Sequence, residues 1–277
     1  MTGRMVGKVA LVTGAARGQG RAHCVRLAEE GADVIALDVC EPVRGVPYPG
    51  ATPEDLAETV RLVEAAGRRI HAVQVDVRDR PALGAAVDAG VAELGRLDAV
   101  IVNHGIVIQK PWDQVTPEIF DDTLAVNLVG VWNRVMAAAP HVISSGGGGS
   151  IVLVSSVAGI KALPFLVPYV ASKFAVTGMA KAFAAELGIH NIRVNSIHPT
   201  SVDTAMSMHS SATTEAREAM EAALAGNPHL GGMYGNALSA EVTKVEDIAD
   251  AVLFLVSDES RMVTSVAFPV DAGCHAY

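Results

Sequence analysis

The sequence predicts a single α/β domain in which helices cover both faces of one parallel, doubly wound, seven-stranded sheet. Three observations carry that prediction. Seven apolar runs recur along the 277 residues, and they are continuous rather than alternating, as strands buried on both faces must be. Helical patterns separate nearly all of them, so successive strands are joined by crossovers and lie parallel. Half of the residues are hydrophobic yet only 4% are aromatic, and an apolar mass of Ala, Val and Leu lets helices pack close to a sheet.

The first strand, 9–13, runs directly into a Gly-rich turn and a helix over 17–30. A second strand, 33–38, ends in Asp38, and a Pro- and Gly-rich stretch, 41–50, lengthens the connection after it. Thr52-Pro53-Glu54-Asp55 opens a helix over 53–66, with Pro at the first helical position, where its missing N–H is not needed. Strand 70–75, helix 80–94 and strand 99–102 keep the rhythm, and Thr116-Pro117-Glu118 starts one long helix over 117–142. Four consecutive glycines within 144–150 read as a surface loop rather than a linker, because the alternation resumes with strand 151–154, helix 168–187 and strand 193–197. Residues 203–241 form a long irregular insertion, and a loop of that length in a compact domain is usually a lid or binding segment. Helix 245–257 and strand 266–270 complete one domain spanning 1–277.

A net charge of −9 argues against nucleic-acid or anionic-membrane partners, which demand surplus Lys and Arg. No stretch approaches the roughly 18 uncharged apolar residues of a membrane helix. Cys24, Cys40 and Cys274 have neither paired nor metal-ligand spacing, so the expected compartment is the reducing cytoplasm. The nine histidines are dispersed, and no metal site is expected.

Gly14, Gly18 and Gly20 stand between a strand and a helix, the setting of a Rossmann-like dinucleotide loop: a tight turn, backbone N–H groups close to a pyrophosphate, and close helix packing. Asp38 lies 18 residues beyond Gly20, where a carboxylate accepts both adenosine ribose hydroxyls and repels a 2′-phosphate, which favours NAD. Arg17 pulls the other way, since a guanidinium there could hold a 2′-phosphate; Asp38 is taken as decisive, with Arg17 solvated or paired nearby. Asp76-Val77 ends the third strand, where the carboxylate meets the adenine amino group or serves as a plain turn residue.

Tyr169 and Lys173 are neighbours at i and i+4 on one helix face, and Ser156 stands 13 residues earlier, just past a strand. Asn127 is a poor helix former inside an apolar stretch, and a buried amide needs a partner. With Thr13-Gly-Ala-Ala-Arg-Gly-Gln-Gly20, Asn103-His104-Gly105 and Pro199-Thr200-Ser201-Val202-Asp203-Thr204, these pieces span nearly the whole chain, which resembles the short-chain dehydrogenase/reductase family. The resemblance implies a catalytic tetrad of Asn127, Ser156, Tyr169 and Lys173. It also implies a cofactor site of Gly14, Arg17, Gly18, Gln19, Gly20, Asp38, Asp76, Val77, Asn103, Gly105, Tyr169 and Lys173, with Val202 and Thr204 at the carboxamide. Tyr169 would be the base, its pKa of about 10 lowered by Lys173 and the oxidised cofactor; about three units correspond to roughly 4 kcal/mol. Ser156 would hold the substrate oxygen, Lys173 the ribose, and Asn127 a water passing the proton outward.

The chain departs from the family pattern at Gln19, His104 and Thr200, His104 being read as packing beneath the cofactor. Together with the 41–50 stretch, these departures resemble the mycofactocin-coupled branch, which includes carveol dehydrogenases. That branch implies tightly held NAD reoxidised by mycofactocin, and a hydrophobic secondary alcohol such as a terpenoid exchanged for its ketone. Val107, Ile108, Leu163, Phe165, Met206 and Tyr234 are the expected pocket wall, or alternatively core and oligomer contacts. The small residues of the Tyr169 helix suit close helix pairing, and the family implies a homotetramer. A ketoacyl or steroid reductase with exchanging cofactor, and a dinucleotide-sensing protein without catalysis, are the rival readings.

Overall fold

The computed structural model describes residues 3–208 and 214–276. Its seven strands are β1 (Val9–Thr13), β2 (Asp33–Asp38), β3 (Ile70–Gln74), β4 (Ala99–Val102), β5 (Gly149–Val154), β6 (Ile192–Pro199) and β7 (Ala267–Val270). All pair in parallel, in the order β3-β2-β1-β4-β5-β6-β7. The order reverses between β1 and β4, so a crevice opens beyond their C-terminal ends.

Two-sided burial explains the continuous apolar runs. Ala10 and Val12 of β1 pack with α1 (Gly18–Glu29), α2 (Pro53–Ala65) and α10 (Val245–Val256), while Val9 and Leu11 face α3 (Arg80–Leu94), α5 (Gly130–Ser145) and α6 (Val167–Leu187). Neither set of alternate residues meets water, so a single Leu→Ala truncation in β1 costs about 2–5 kcal/mol. Helix starts follow the sequence signals: the Thr52 hydroxyl accepts from the Asp55 N–H, and the Asp55 carboxylate accepts from the Thr52 N–H in return.

Three expectations are corrected. The helix over 117–142 is three pieces: α4 (Pro117–Leu124), one π-helical turn at Ala125–Val129, and α5, which carries Pro140 and runs on to Ser145. The turn widens where Asn127 leaves the apolar pattern to bond the backbone of a neighbouring loop. The glycine loop shrinks to 146–148, because Ser144 and Ser145 finish α5 and Gly149 and Ser150 begin β5. Among its described residues the insertion 203–241 is not wholly irregular: it holds α7 (Ala205–Met208), α8 (Thr214–Gly226) and α9 (His229–Gly232). The Ala- and Glu-rich run of α8 is made of strong helix formers, a local signal that insertion length alone does not register. Beside the two ends of that insertion, a parallel bridge joins Val202 to Thr243, with Asp203 N–H donating to the Thr243 carbonyl at 2.9 Å.

Candidate active site

The crevice holds two adjoining cavities of about 430 and 340 Å³ that share Gln19, Asn103, Gly105, Thr204 and Met206. The larger follows the glycine loop between β1 and α1. Gly14 and Gly18 sit at φ +65° and +54°, open to glycine at little cost. A Cβ on Gly20 would lie 1.8 Å from the Gly14 carbonyl oxygen, so this helix approaches its strand as only glycine permits.

Thr13, Asn103 and His104 lock the loop from below. The Thr13 hydroxyl oxygen accepts from the Asn103 N–H at 3.0 Å and lies 2.8 Å from His104 Nδ1, and Asn103 Nδ2 donates to the Thr13 carbonyl at 3.0 Å. Burial holds His104 down to about 3, so the ring is neutral and its Nδ1 shares a hydrogen bond with the Thr13 hydroxyl. His104 therefore sits beneath the loop and also lines the larger cavity. Asp38 is fixed at the far end: one carboxylate oxygen accepts the Ala16 N–H at 2.9 Å, the other the Cys40 N–H at 3.0 Å. Arg17 lines the same cavity but gives its guanidinium to the Pro49 carbonyl. Asp76 and Val77 also line it, though the Asp76 oxygens are engaged by Arg78, at 2.5 Å for Nη2, which holds that carboxyl below the usual carboxylate range.

The smaller cavity carries the hydroxyls. Ser156 caps the short turn Val157–Gly159, its Oγ accepting from the Ala158 N–H at 3.1 Å, and it lines the cavity with Tyr169. Lys173 Nζ lies 5.5 Å from the Tyr169 ring centroid and donates to the Val154 carbonyl at 2.9 Å. Asn127 is fully buried: Oδ1 accepts the Ile106 N–H at 2.8 Å, while Nδ2 donates to the Ile106 carbonyl and to Ser172 Oγ. A Cβ on Gly105 would sit 3.3 Å from Asn127 Oδ1 and 3.6 Å from Lys173 Nζ, so the two side chains converge over that glycine.

The depression of Tyr169 is expected from Lys173 and the oxidised cofactor together; in the chain alone the balance is set by burial. Burial pushes the phenol up, with Ser156 offsetting only part, and the same burial pulls Lys173 down to about 8. A cation that is itself desolvated, and turned toward a carbonyl, stabilises a neighbouring phenolate less than its sequence spacing suggests.

Of the expected wall, Val107, Leu163, Met206 and Tyr234 line the smaller cavity; Ile108 and Phe165 do not. Ile108 is 3% exposed and turned toward Gly45, and Phe165 sits at φ +63°, its carbonyl taken by the Lys110 N–H at 2.9 Å. Val202 and Thr204 line this cavity, and Thr204 the larger one as well. Sequence reading missed the strap 41–50: Val43, Val46 and Tyr48 line the cofactor-side cavity, and the Tyr48 hydroxyl accepts the Val107 N–H at 3.1 Å. Its aromatic residue amid Pro and Gly was the available signal. Gln109, Leu166 and Cys274 also line the smaller cavity, and nothing in their spacing marks them. Among the described residues no three His, Cys, Asp or Glu side chains converge as metal ligands.

The family model of the short chain dehydrogenases matches residues 8–215. A (−)-trans-carveol dehydrogenase of Rhodococcus erythropolis is 42% identical over 274 residues, 98% of each chain. A crystal structure of a short chain dehydrogenase from Mycobacterium paratuberculosis bound to NAD aligns at TM-score 0.94 and 53% identity, covering 99% of this chain and 100% of the other. A carveol dehydrogenase from Mycobacterium avium in complex with NAD aligns at TM-score 0.91 and 48% identity, covering both chains fully.

Proposed function

This chain belongs to the short-chain dehydrogenase family, and we propose that it is an NAD-dependent alcohol dehydrogenase that oxidises a hydrophobic secondary alcohol to its ketone, or the reverse. The observation that carries this reading is that Ser156, Tyr169 and Lys173 line one cavity, which shares Gln19, Asn103 and Gly105 with the cavity along the glycine loop. The carveol dehydrogenases among its relatives, and the apolar Val107, Leu163 and Met206, favour a terpenoid-like alcohol.

The residues fit NAD. Gly20 lets the α1 N-terminus close on the Gly14 turn, Asp38 presents a fixed carboxylate, and the buried Gln19 Oε1 has no partner among the described residues. Gly14, Gly18 and Gly20 would hold the pyrophosphate, Asp38 the adenosine ribose, Lys173 the other ribose, and Val202 and Thr204 the carboxamide. When bound, the nicotinamide accepts or returns the hydride and, oxidised, adds a positive charge beside the phenol. Ser156 keeps its hydroxyl proton and one lone pair after capping Ala158, enough to bond both Tyr169 and the substrate oxygen. Tyr169 takes the alcohol proton in oxidation and returns it in reduction. Lys173 steadies the phenolate, and Asn127, anchored to Ile106, keeps the π-turn beside Lys173 in place.

Substituting Asp38 by Ala removes the like charge that a 2′-phosphate would meet, so the kcat/KM ratio of NAD to NADP falls by about tenfold or more. An unchanged ratio would show that Asp38 does not set the preference. The pH dependence follows from the raised Tyr169: a base with a high pKa is more often ready as pH rises. Alcohol oxidation therefore climbs between about pH 6 and 8, while ketone reduction, which uses the protonated phenol, stays level. Initial rates in both directions test this, and an oxidation rate that declines over that span contradicts it.

The strap supports tight retention of NAD with reoxidation by mycofactocin. Arg44 pairs with Asp122 of α4 at 2.8 Å, Tyr48 is bonded to Val107, and Arg17 to Pro49, so residues 41–50 are pinned across the cofactor-side cavity at three places. Purified protein then carries NAD, and turns over alcohol only when an artificial electron acceptor is supplied; release of free NADH on adding substrate would favour an exchanging reductase. A homotetramer is supported by Phe120, Trp132, Met136 and Phe174, exposed on α4, α5 and α6. Three free buried cysteines fit the cytoplasm, and no helix among the described residues is long and apolar enough to cross a membrane.

A further inference from the structure

β5 and β6 pair up to Val154 and Ile197, and the Ser155 N–H still reaches the Ile197 carbonyl at 2.9 Å. Pro199 has no N–H with which to carry the ladder further. Beyond that point a side chain does the work of a backbone donor: His198 Nδ1 lies 2.7 Å from the Ser156 carbonyl oxygen. A carbonyl only accepts, so Nδ1 bears the proton. Nε2 is then the acceptor, and the Ser196 hydroxyl donates to it at 2.8 Å. The ring is fully buried, which keeps it neutral, and both nitrogens are satisfied, so one tautomer and one orientation are fixed.

The Ser156 carbonyl has a second partner, the Gly159 N–H at 2.8 Å, and its Oγ accepts from Ala158. The turn alone ties Ser156 to its own next residues; His198 ties it to the sheet. We propose that His198 is a positioning residue for the reaction, fixing the Ser156 backbone against β6 so that the Ser156 hydroxyl meets both Tyr169 and the substrate oxygen. The inference rests on the reading of Ser156 as the group that holds that oxygen.

Four variants test it: Ser156→Ala, His198→Leu, His198→Asn and the double variant Ser156→Ala/His198→Leu. Leu removes the donor, and a displaced hydroxyl lowers kcat by about tenfold, with the alcohol KM within about twofold and NAD affinity unchanged. The Asn amide retains an N–H near the Nδ1 position and restores most of kcat. In the Ser156→Ala background His198→Leu has no further effect, because the group it positions is gone. A multiplicative loss in that background, full kcat in His198→Leu, or Asn failing as badly as Leu would overturn the proposal. Ser156→Ala turning over like the wild type would instead overturn the reading of Ser156, and the proposal with it.

Discussion

Replacing Tyr169 by Phe lowers alcohol turnover by about a thousandfold while NAD remains bound, the size of effect expected when a positioned acid–base group is lost. The substitution removes one oxygen and keeps the ring, so the packing of Tyr169 against the cluster of Tyr48, Val107 and Leu166 survives. What disappears is the phenol that lines the smaller cavity with Ser156 and is proposed to exchange a proton with the substrate. Lys173 does not substitute for it. Its amine donates to the Val154 carbonyl, and a proton acceptor must reach the substrate oxygen within hydrogen-bond distance. Binding is measured by calorimetry and turnover by absorbance of the reduced cofactor. Turnover within tenfold of the wild type would remove Tyr169 from the chemistry; loss of NAD binding would show that the phenol holds the cofactor.

Substituting Gly20 by Ala weakens NAD binding by at least about tenfold, or 1.4 kcal/mol, and lowers Tm by several degrees. The added Cβ would lie 1.8 Å from the Gly14 oxygen, 2.6 Å from its carbon and 2.9 Å from Asn103 Nδ2. Two of those atoms are backbone of the phosphate turn, so relief comes from opening the turn, and overpacking of this kind costs about 1–3 kcal/mol. Gly84 of α3 provides the contrast: nothing lies within 4 Å of its Cβ position, and Gly84→Ala gains about 0.5–1 kcal/mol in a helix interior. Thermal unfolding and NAD titration of both variants check the pair. Gly20→Ala behaving like Gly84→Ala would mean the loop does not depend on that close approach.

Much of the fold was legible because each strand is buried on both faces, which leaves a continuous apolar run in the sequence and a definite place in the sheet order. Local chemistry also read well where one residue type has one use, as with Thr52 at a helix start or Gly20 against its strand. What failed depended on partners distant in the chain. The break at Asn127 is set by Ile106, and the roles of Ile108 and Phe165 by which way two loops turn. The strap was seen as a long connection, but its seat over the cavity follows from Arg44 meeting Asp122 and Tyr48 meeting Val107, pairs 78 and 59 residues apart. The setting of Tyr169 was legible only in part for the same reason: i,i+4 spacing brings Lys173 near, but the burial of both groups and the bond to the Val154 carbonyl come from the fold.

The central claim is that this crevice moves a hydride between a secondary alcohol and NAD held in the chain, with Tyr169 handling the proton. Single-turnover mixing of the NAD-loaded protein with a cyclic secondary alcohol deuterated at the carbinol carbon tests it most directly. The expected result is one equivalent of reduced cofactor formed on the protein, slower than with the unlabelled alcohol and absent in Tyr169→Phe. Ketone formation without reduction of the bound cofactor, or equal reduction in Tyr169→Phe, would contradict it.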